Sequence, residues 1–192
     1  MRIMVIVGSV RPGRIGPPIA EWVTDELGLR DDIDIDLVDL AELDLPLMNE
    51  PNHPVLRRYT FDHTIAWSER VEQADAFVFV TPEYNHSFSP ALKNALDYLN
   101  HEWRRKPVTF VSYGGVSAGT RGVVALKPVV TGLGLVPTLL NVEINFPGNQ
   151  LDDDGAFRPT DSQRERFSGA VGELAELSAA LAPLRASVAA AR

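Results

Sequence analysis

The sequence predicts an open α/β sheet of parallel strands with helices on both faces. Short continuous apolar runs, such as IMVIV at residues 3–7 and AFVFV at residues 76–80, are typical of strands that are buried on both sides. Helical patterns with apolar stripes lie between these runs. The alternation of strand and helix repeats five times, which favours a doubly wound sheet built from crossover connections.

Five strands are expected. The first, third and fourth are the apolar runs at residues 3–7, 76–80 and 108–111. The second, IDIDLVDL from Ile33, alternates polar and apolar residues, as a half-exposed edge strand does. A weaker fifth strand is expected within residues 136–142. An alternating second strand at an edge favours the flavodoxin-like order 2-1-3-4-5 over the larger dinucleotide-binding order.

Start and stop signals delimit the helices. The first is expected to begin near Pro17 and to end at Gly28, because proline is tolerated in a first turn and glycine stops a helix. Ser89 and Pro90 predict the N-cap and first position of another helix. The other helices are expected over residues 63–73, over residues 119–133 with an interruption at Pro128, and after a capping box of Thr160 and Gln163.

Composition predicts one domain over residues 1–192, since no repeat or linker divides the chain. A formal net charge of −8 argues against binding to nucleic acid or to an anionic membrane. The absence of cysteine excludes disulfides, thiol catalysis and cysteine-ligated metals. The apolar run at residues 3–7 is too short for a signal-peptide core or a membrane span, so a cytoplasmic protein is expected.

Three loops carry the chemically distinctive residues, each after a predicted strand. They read GSVRPGRIG at residues 8–16, TPEYNHS at residues 81–87 and SYGGVSAG at residues 112–119. In open α/β sheets ligands bind beyond the carboxyl ends of the strands, at the point where the strand order reverses. The three loops are therefore expected to form one site.

The first loop has the residues of an anion site. Gly8 permits a tight turn, Ser9 offers a hydroxyl, and Arg11 and Arg14 offer forked donors that match a phosphate. The loop leads into a helix N-terminus, which also favours an anion. Its glycine spacing matches neither of the two standard nucleotide loops, so a monophosphate is favoured over a pyrophosphate or triphosphate. The alternative is a solvated loop whose arginines pair with acidic side chains.

The other two loops suit a planar ring. Pro82 stiffens the chain, Tyr84 offers a flat apolar edge, and Asn85 offers both a donor and an acceptor. Unpaired backbone groups in this turn could reach the polar edge of a heterocycle. Gly114 and Gly115 allow backbone N–H groups to approach a ligand closely. The alternative for residues 81–87 is a simple turn into a helix.

The segments GSVRPGRIGPPIAEWV, TPEYNHSFSPALKNALDYL and SYGGVSAGTRG together resemble the NAD(P)H-dependent FMN reductase family, which includes quinone, azo and chromate reductases. The resemblance spans residues 1 to about 140, and PEYN with LKNALD is its most specific part. It implies a flavodoxin-like fold, non-covalent FMN, and hydride transfer from NADPH or NADH to FMN. Electrons would then pass to a quinone, another flavin, an azo compound or a metal ion. It also implies a homodimer or homotetramer, with the helix after PEYN at the subunit contact.

The resemblance also implies which residues contact FMN, with no side-chain catalytic residue because the chemistry belongs to the cofactor. The residues implied at the phosphate are Ser9, Arg11, Arg14 and the backbone near Ile15 and Gly16. Those implied beside the isoalloxazine ring are Pro82, Glu83, Tyr84 and Asn85. Those implied on its pyrimidine side are Tyr113, Gly114 and Gly115. The chain departs from the family pattern in three places: Arg14 and Gly16 stand where many relatives have serine and asparagine, and Ala118 stands where glycine is common.

Other patterns in the sequence point to different functions. Residues 115–119 match the G-x-S-x-G elbow of hydrolases, but all four histidines precede Ser117, so no downstream base exists. The histidines lack the spacing of a helical metal motif, and the aspartates at residues 152–154 lack the alternating spacing of a calcium loop. A flavodoxin-like FMN electron carrier without NAD(P)H activity, and a regulatory module that has lost the flavin, stay as alternatives.

Overall fold

The computed structural model describes residues 1–189, in which a parallel sheet lies between two layers of helices. The strands are β1 (Arg2–Val7), β2 (Asp34–Asp39), β3 (Ala76–Pro82), β4 (Pro107–Gly114), β5 (Val136–Pro137) and β6 (Val142–Asn145). The α-helices are α1 (Gly16–Gly28), α2 (Leu40–Leu43), α3 (Asp62–Glu72), α4 (Pro90–Asp97), α5 (Thr120–Gly132) and α6 (Asp161–Ala189). Of the domain predicted over residues 1–192, the last three residues lie outside the described part.

The strand order is β2-β1-β3-β4-β5, with β6 also paired to β4, and all pairings are parallel. The predicted flavodoxin-like order is therefore confirmed. The register places Val7 beside both Asp39 and Val80, and Val80 beside Val111. The carboxyl ends of these strands consequently lie at one edge of the sheet, where the three distinctive loops begin.

Each face of the sheet carries its own apolar core. On one face, α1 and α6 pack on the alternate side chains of the central strands. Trp22 of α1 contacts the rings of Phe157 and Phe167, with centroid distances of 5.5 and 5.4 Å. On the other face, α3, α4 and α5 pack around Trp67 and Trp103. The prediction of helices on both faces is confirmed.

The expected fifth strand is divided. Instead of one strand over residues 136–142, the chain forms β5 and β6 and bulges between them. Within the bulge, the Asn141 side chain replaces a backbone acceptor by receiving the Phe110 N–H at 3.3 Å. The Glu173 carboxylate of α6 accepts the Leu139 N–H at 2.7 Å. Side chains thus form hydrogen bonds with the backbone groups that a continuous strand would have paired. The break in the strand therefore costs little stability.

The predicted helix caps are confirmed. The Ser89 hydroxyl accepts the Leu92 N–H at 3.1 Å at the start of α4. At the start of α6, the Thr160 N–H donates to the Gln163 side chain at 2.8 Å, and the Gln163 N–H donates back to the Thr160 hydroxyl at 3.2 Å. These reciprocal bonds form the capping box expected from the sequence.

The predicted interruption at Pro128 is wrong, since α5 runs through it. A proline inside a helix removes the hydrogen bond to the carbonyl four residues earlier, here that of Val124. Val124 is exposed, so water can satisfy that carbonyl. The last helix also extends beyond the stripe that predicted it, to Ala189. Within the described residues, none of the helices combines the length and the apolar character needed to span a membrane.

Candidate functional site

The loops that follow β1, β3 and β4 enclose a cleft of about 460 Å³ at the carboxyl edge of the sheet. Its lining consists of Ser9, Arg11, Gly13, Arg14, Ile15, Pro82, Glu83, Tyr84, Tyr113, Gly114, Gly115 and Pro147. Every residue predicted for the site belongs to this lining except Gly16 and Asn85. Gly13 and Pro147 line it without having been predicted. The three loops thus enclose one cleft, and the roles expected for its residues stay predictions.

The first loop is fixed against the strand beside it. The Gly8 N–H donates to the Val80 carbonyl at 2.9 Å, and a Cβ at Gly8 would lie 3.3 Å from that oxygen. The hydroxyls of Ser9 and Tyr84 share a hydrogen bond of 2.6 Å. Ser9 is buried. These contacts hold the turn after β1 against the turn after β3, so the loops after β1 and β3 form one wall.

The N-terminus of α1 offers unusually few backbone donors. Helix N-termini bind anions through the free N–H groups of the first turn. Here Pro17 and Pro18 occupy two positions of that turn, and neither has an N–H. The N–H groups of Gly13 and Ile15 have no hydrogen-bond acceptor among the described residues. An anion at this helix would therefore depend on these amides and on side chains.

The two arginines of the first loop differ in their surroundings. Arg14 forms a two-pronged ion pair with Asp39 at the end of β2, with N–O distances of 2.6 and 2.5 Å. It also donates to the Ser9 carbonyl at 2.6 Å. The Arg11 side chain is exposed and makes no hydrogen bond or ion pair among the residues that the structure describes. Arg14 is thus neutralised and fixed, while Arg11 gives the cleft an uncompensated positive charge.

Residues 84–87 form a tight turn at the rim of the cleft. Tyr84 and Ser87 exchange backbone hydrogen bonds of 2.8 and 2.9 Å. Between them, Asn85 and His86 both have positive φ, at 49° and 67°, as in a type I′ turn. The Asn85 side chain is exposed outside the cleft lining. Asparagine therefore serves here at least as a residue that tolerates the left-handed conformation.

Glu83 ties the loop after β3 to the start of α5. Its carboxylate accepts hydrogen bonds from the Ser117 hydroxyl at 2.7 Å and from the Arg121 Nε at 2.6 Å. Burial by itself would raise the pKa of Glu83, but the hydrogen bonds from Arg121 and Ser117 hold it below its ordinary value. The serine of the G-x-S-x-G pattern is thus bound to a carboxylate and a guanidinium, not to an imidazole base.

The glycine-rich loop after β4 needs its glycine at position 119. Gly119 has φ +82°, and a Cβ there would lie 2.6 Å from the Tyr113 backbone nitrogen. Ala118, which replaces a glycine common in the family pattern, has φ 52° and so keeps the left-handed backbone that glycine would adopt. At Gly115 a Cβ would meet nothing closer than 3.8 Å. Gly115 therefore leaves space at the cleft, while Gly119 is required by the fold of the loop.

Tyr113 crosses beneath the first loop. Its side chain is buried, and within the described part of the chain its hydroxyl has no hydrogen-bond partner. A Cβ at Gly16 would lie 2.9 Å from this hydroxyl, so Gly16 makes room for it. Burial raises the pKa of the phenol, which stays protonated and able to donate.

Sequence reasoning missed the contribution of the segment after β6. Pro147 lines the cleft, and the Phe146 N–H donates to the Gly114 carbonyl at 2.7 Å. Phe146 itself has φ 46°, a strained conformation for an aromatic residue. The turn residues FPG directly after a strand neighbouring β4 were the available signal, because that turn must lie at the same edge of the sheet.

A family profile described as NADPH-dependent FMN reductase matches residues 1–146. The chain belongs to this family. The resemblance stated from the loop sequences is therefore confirmed. The profile covers β1 to β6 and all three loops of the cleft, and it ends at Phe146, before the segment that contributes Pro147 and before α6.

Individual relatives align with this member of the FMN reductase family over different lengths of the chain. A NAD(P)H-dependent FMN reductase of Schizosaccharomyces pombe is 48% identical over 62% of this chain and 60% of that protein. One of Saccharomyces cerevisiae is 38% identical over 69% of this chain and 75% of that protein. An FMN-dependent NADPH-azoreductase of Staphylococcus haemolyticus is 30% identical over 75% of this chain and 73% of that protein. The match spans only about three fifths of the length of the first of these relatives.

A solved structure shows the same fold. FerB, a flavoenzyme NAD(P)H:(acceptor) oxidoreductase of Paracoccus denitrificans, aligns over 92% of this chain and 96% of that chain, with a TM-score of 0.73. The two sequences are 20% identical in that alignment, so the likeness supports the fold of this family member and nothing finer.

Proposed function

We propose that this protein binds FMN in the cleft and catalyses the NAD(P)H-dependent reduction of a small acceptor. The main observation in support of this proposal is the chemistry of the cleft. Its first-loop end has the guanidinium of Arg11 and the amides of Gly13 and Ile15, none of which has a partner among the described residues, and these groups suit a phosphate. Its other end has the open glycine backbone at Gly115, which suits a ring. The residues present therefore fit FMN.

The proposed contacts follow from these positions. Ser9, Arg11 and the amides near Ile15 and Gly16 hold the phosphate, and Arg14 orders the loop through Asp39. Pro82, Glu83, Tyr84 and Asn85 belong to the turn beside the ring, and Tyr113, Gly114 and Gly115 close the other side. When bound, FMN supplies the chemistry of accepting and donating a hydride.

The protein's own contribution is to position the flavin ring and to exclude water from it. The Glu83 carboxylate holds the loops after β3 and β4 together, so that both walls of the ring site are fixed before a ligand binds. Backbone N–H groups of the glycine loop are suited to stabilise negative charge on a reduced ring. No general base among the side chains is required.

The electron donor is NADPH or NADH, and the acceptor is a small molecule such as a quinone, a flavin, an azo compound or a metal ion. The family description names NADPH, and the staphylococcal relative is named as an azoreductase. A cytoplasmic location and the lack of a nucleic-acid or membrane partner stay predictions from the sequence.

A homodimer or homotetramer with α4 at the subunit contact is part of this proposal. Exposed apolar side chains lie beside α4, with Leu47 84% exposed and Met48 37% exposed. The backbone of this segment is tied to α4, since the Asn94 side chain accepts the Met48 N–H at 2.9 Å. Light scattering on a size-exclusion column measures the subunit number directly, and a monomeric mass would contradict this part.

The visible absorption spectrum of the protein reconstituted with FMN tests the main proposal. We expect stoichiometric bound flavin whose absorption near its visible maximum disappears when NADPH or NADH is added without oxygen. The faster donor identifies the preferred nucleotide. Flavin that binds and is not reduced by either nucleotide would favour the electron carrier. Failure to bind FMN would overturn the proposal.

A further inference from the structure

The Tyr113 hydroxyl is a buried donor that has no partner among the described residues. Tyr113 is 5% exposed, and its hydroxyl forms no hydrogen bond to any other residue in the part of the chain that the structure describes. Buried hydroxyls in native proteins are nearly always paired. Because Tyr113 also lines the cleft, the missing partner is expected to arrive with a ligand.

The surroundings of this hydroxyl place it at the phosphate end of the cleft. It lies beneath Gly16, the first residue of α1, whose missing side chain leaves the room that the hydroxyl occupies. The Ser9 hydroxyl, which is itself bonded to Tyr84, is close enough to influence its pKa, as are the charges of Arg14 and Arg11, although no bond of normal hydrogen-bond geometry forms. The side chain of Tyr113 therefore reaches the anion loop, although its backbone belongs to the loop on the ring side.

The same end of the cleft lacks donors that other helix N-termini have. Pro17 and Pro18 remove two N–H groups from the first turn of α1. Arg14 forms an ion pair with Asp39, and that carboxylate largely neutralises its charge. A phosphate monoester has three strong acceptor oxygens, and a phenol hydroxyl can donate to one of them.

We propose that the Tyr113 hydroxyl donates a hydrogen bond to the phosphate of FMN and thereby makes the site select the phosphorylated flavin over riboflavin. This inference rests on the proposed function, since it assigns a residue within the same site. It adds a second contact to the one expected for Tyr113 on the pyrimidine side of the ring. The backbone of Tyr113 and its hydroxyl serve opposite ends of one ligand.

The variant Tyr113→Phe tests this inference on the full-length protein without cofactor. Dissociation constants for FMN and for riboflavin are measured by the quenching of flavin fluorescence. We expect the FMN constant to rise about tenfold or more, as for the loss of a hydrogen bond to a charged acceptor. We expect the riboflavin constant to change by less than about twofold, because riboflavin has no phosphate. The melting temperature of the cofactor-free variant should not fall, because the deleted hydroxyl has no hydrogen-bond partner among the described residues.

Tyr59→Phe is the matched control. It also deletes one phenol oxygen, but Tyr59 donates to Glu102 outside the cleft, so both dissociation constants should match those of the wild type. If Tyr113→Phe weakens both flavins equally, or leaves FMN binding unchanged, the assignment to the phosphate is wrong. A wild-type protein that binds neither flavin would instead overturn the proposed function, and this inference with it.

Discussion

At the scale of single residues, backbone conformation and charge distinguish the residues that shape the cleft from those that are free to bind a ligand. Gly119 and Ala118 hold left-handed backbone that shapes the glycine loop. In the first loop, Arg14 is fixed by Asp39, whereas the Arg11 side chain has no ion-pair partner among the described residues. Residue type alone did not distinguish the two arginines, because both stand in the same loop.

Replacing Arg11 by alanine should weaken FMN binding and leave the fold intact. The lost guanidinium is expected to raise the FMN dissociation constant about tenfold to a hundredfold, because a charged donor to a phosphate is removed. The melting temperature without cofactor should stay the same, since the Arg11 side chain has no partner among the described residues. Fluorescence titration and thermal unfolding measure the two quantities.

Arg58→Ala provides the control for Arg11→Ala. Arg58 is exposed, and its substitution removes the same charge away from the cleft lining. Its FMN dissociation constant should equal that of the wild type. If Arg11→Ala also binds FMN normally, Arg11 does not hold the phosphate.

At the scale of secondary-structure elements, ends and breaks are stabilised by partners that are distant in sequence. The bulge between β5 and β6 depends on Glu173 of α6, and the carboxyl end of α3 depends on Lys106, just before β4. The Lys106 ammonium donates to the carbonyls of Val71 and Glu72 at 2.8 and 3.0 Å. It is almost fully buried. Such caps are favourable for the helix dipole but costly in desolvation.

Lys106 should make stability depend on pH above neutrality. Burial lowers the pKa of Lys106 to about 8, below its ordinary value of 10.5. Between these two values the unfolded chain holds the proton and the folded chain has released it, so stability rises with pH. Below pH 8 Lys106 is protonated in both the folded and the unfolded chain, so it no longer makes the unfolding free energy depend on pH. We expect the wild type to gain about 2 kcal/mol in unfolding free energy between pH 8 and 10, relative to Lys106→Met.

Urea unfolding at several pH values measures this difference. Lys127→Met removes a lysine that is not fully buried, on α5, and should follow the wild type across the same range. Parallel curves for the wild type and Lys106→Met would show that Lys106 titrates normally in the folded protein.

At the scale of the whole molecule, the family profile ends before the helix that completes one of the two cores. The profile covers residues 1–146, whereas α6 begins at Asp161. Phe167 and Leu174 of α6 are buried against the face of the sheet that α1 also covers. The segment between the profile and α6 contributes Pro147 to the cleft. Both the core and the site therefore extend beyond the part of the chain that the family profile matches.

Phe167→Ala should destabilise the protein strongly. Phe167 is 2% exposed, and its ring lies 5.4 Å from that of Trp22, so its loss leaves a cavity between α1 and α6. The expected loss in unfolding free energy is about 3–5 kcal/mol. Glu165→Ala, at an exposed position on the same helix, should be nearly neutral. Denaturant unfolding compares the two variants, and similar small losses for both would mean that the fold does not depend on α6.

The sequence by itself determined the layered sheet, its strand order, the helix caps and the three loops of the cleft. These features follow from local signals, namely unbroken apolar runs, alternation in β2, capping residues such as Ser89, and turns placed after strands. Only the tertiary structure decided the division of the fifth strand, the continuity of α5 through Pro128, and the pairing of Arg14 with Asp39. It also decided that Glu83 joins two loops and that the Tyr113 hydroxyl lies beneath Gly16 with no hydrogen-bond partner among the described residues. Each of these depends on a partner far away in the chain or on access to solvent, and neither can be read from the neighbouring residues.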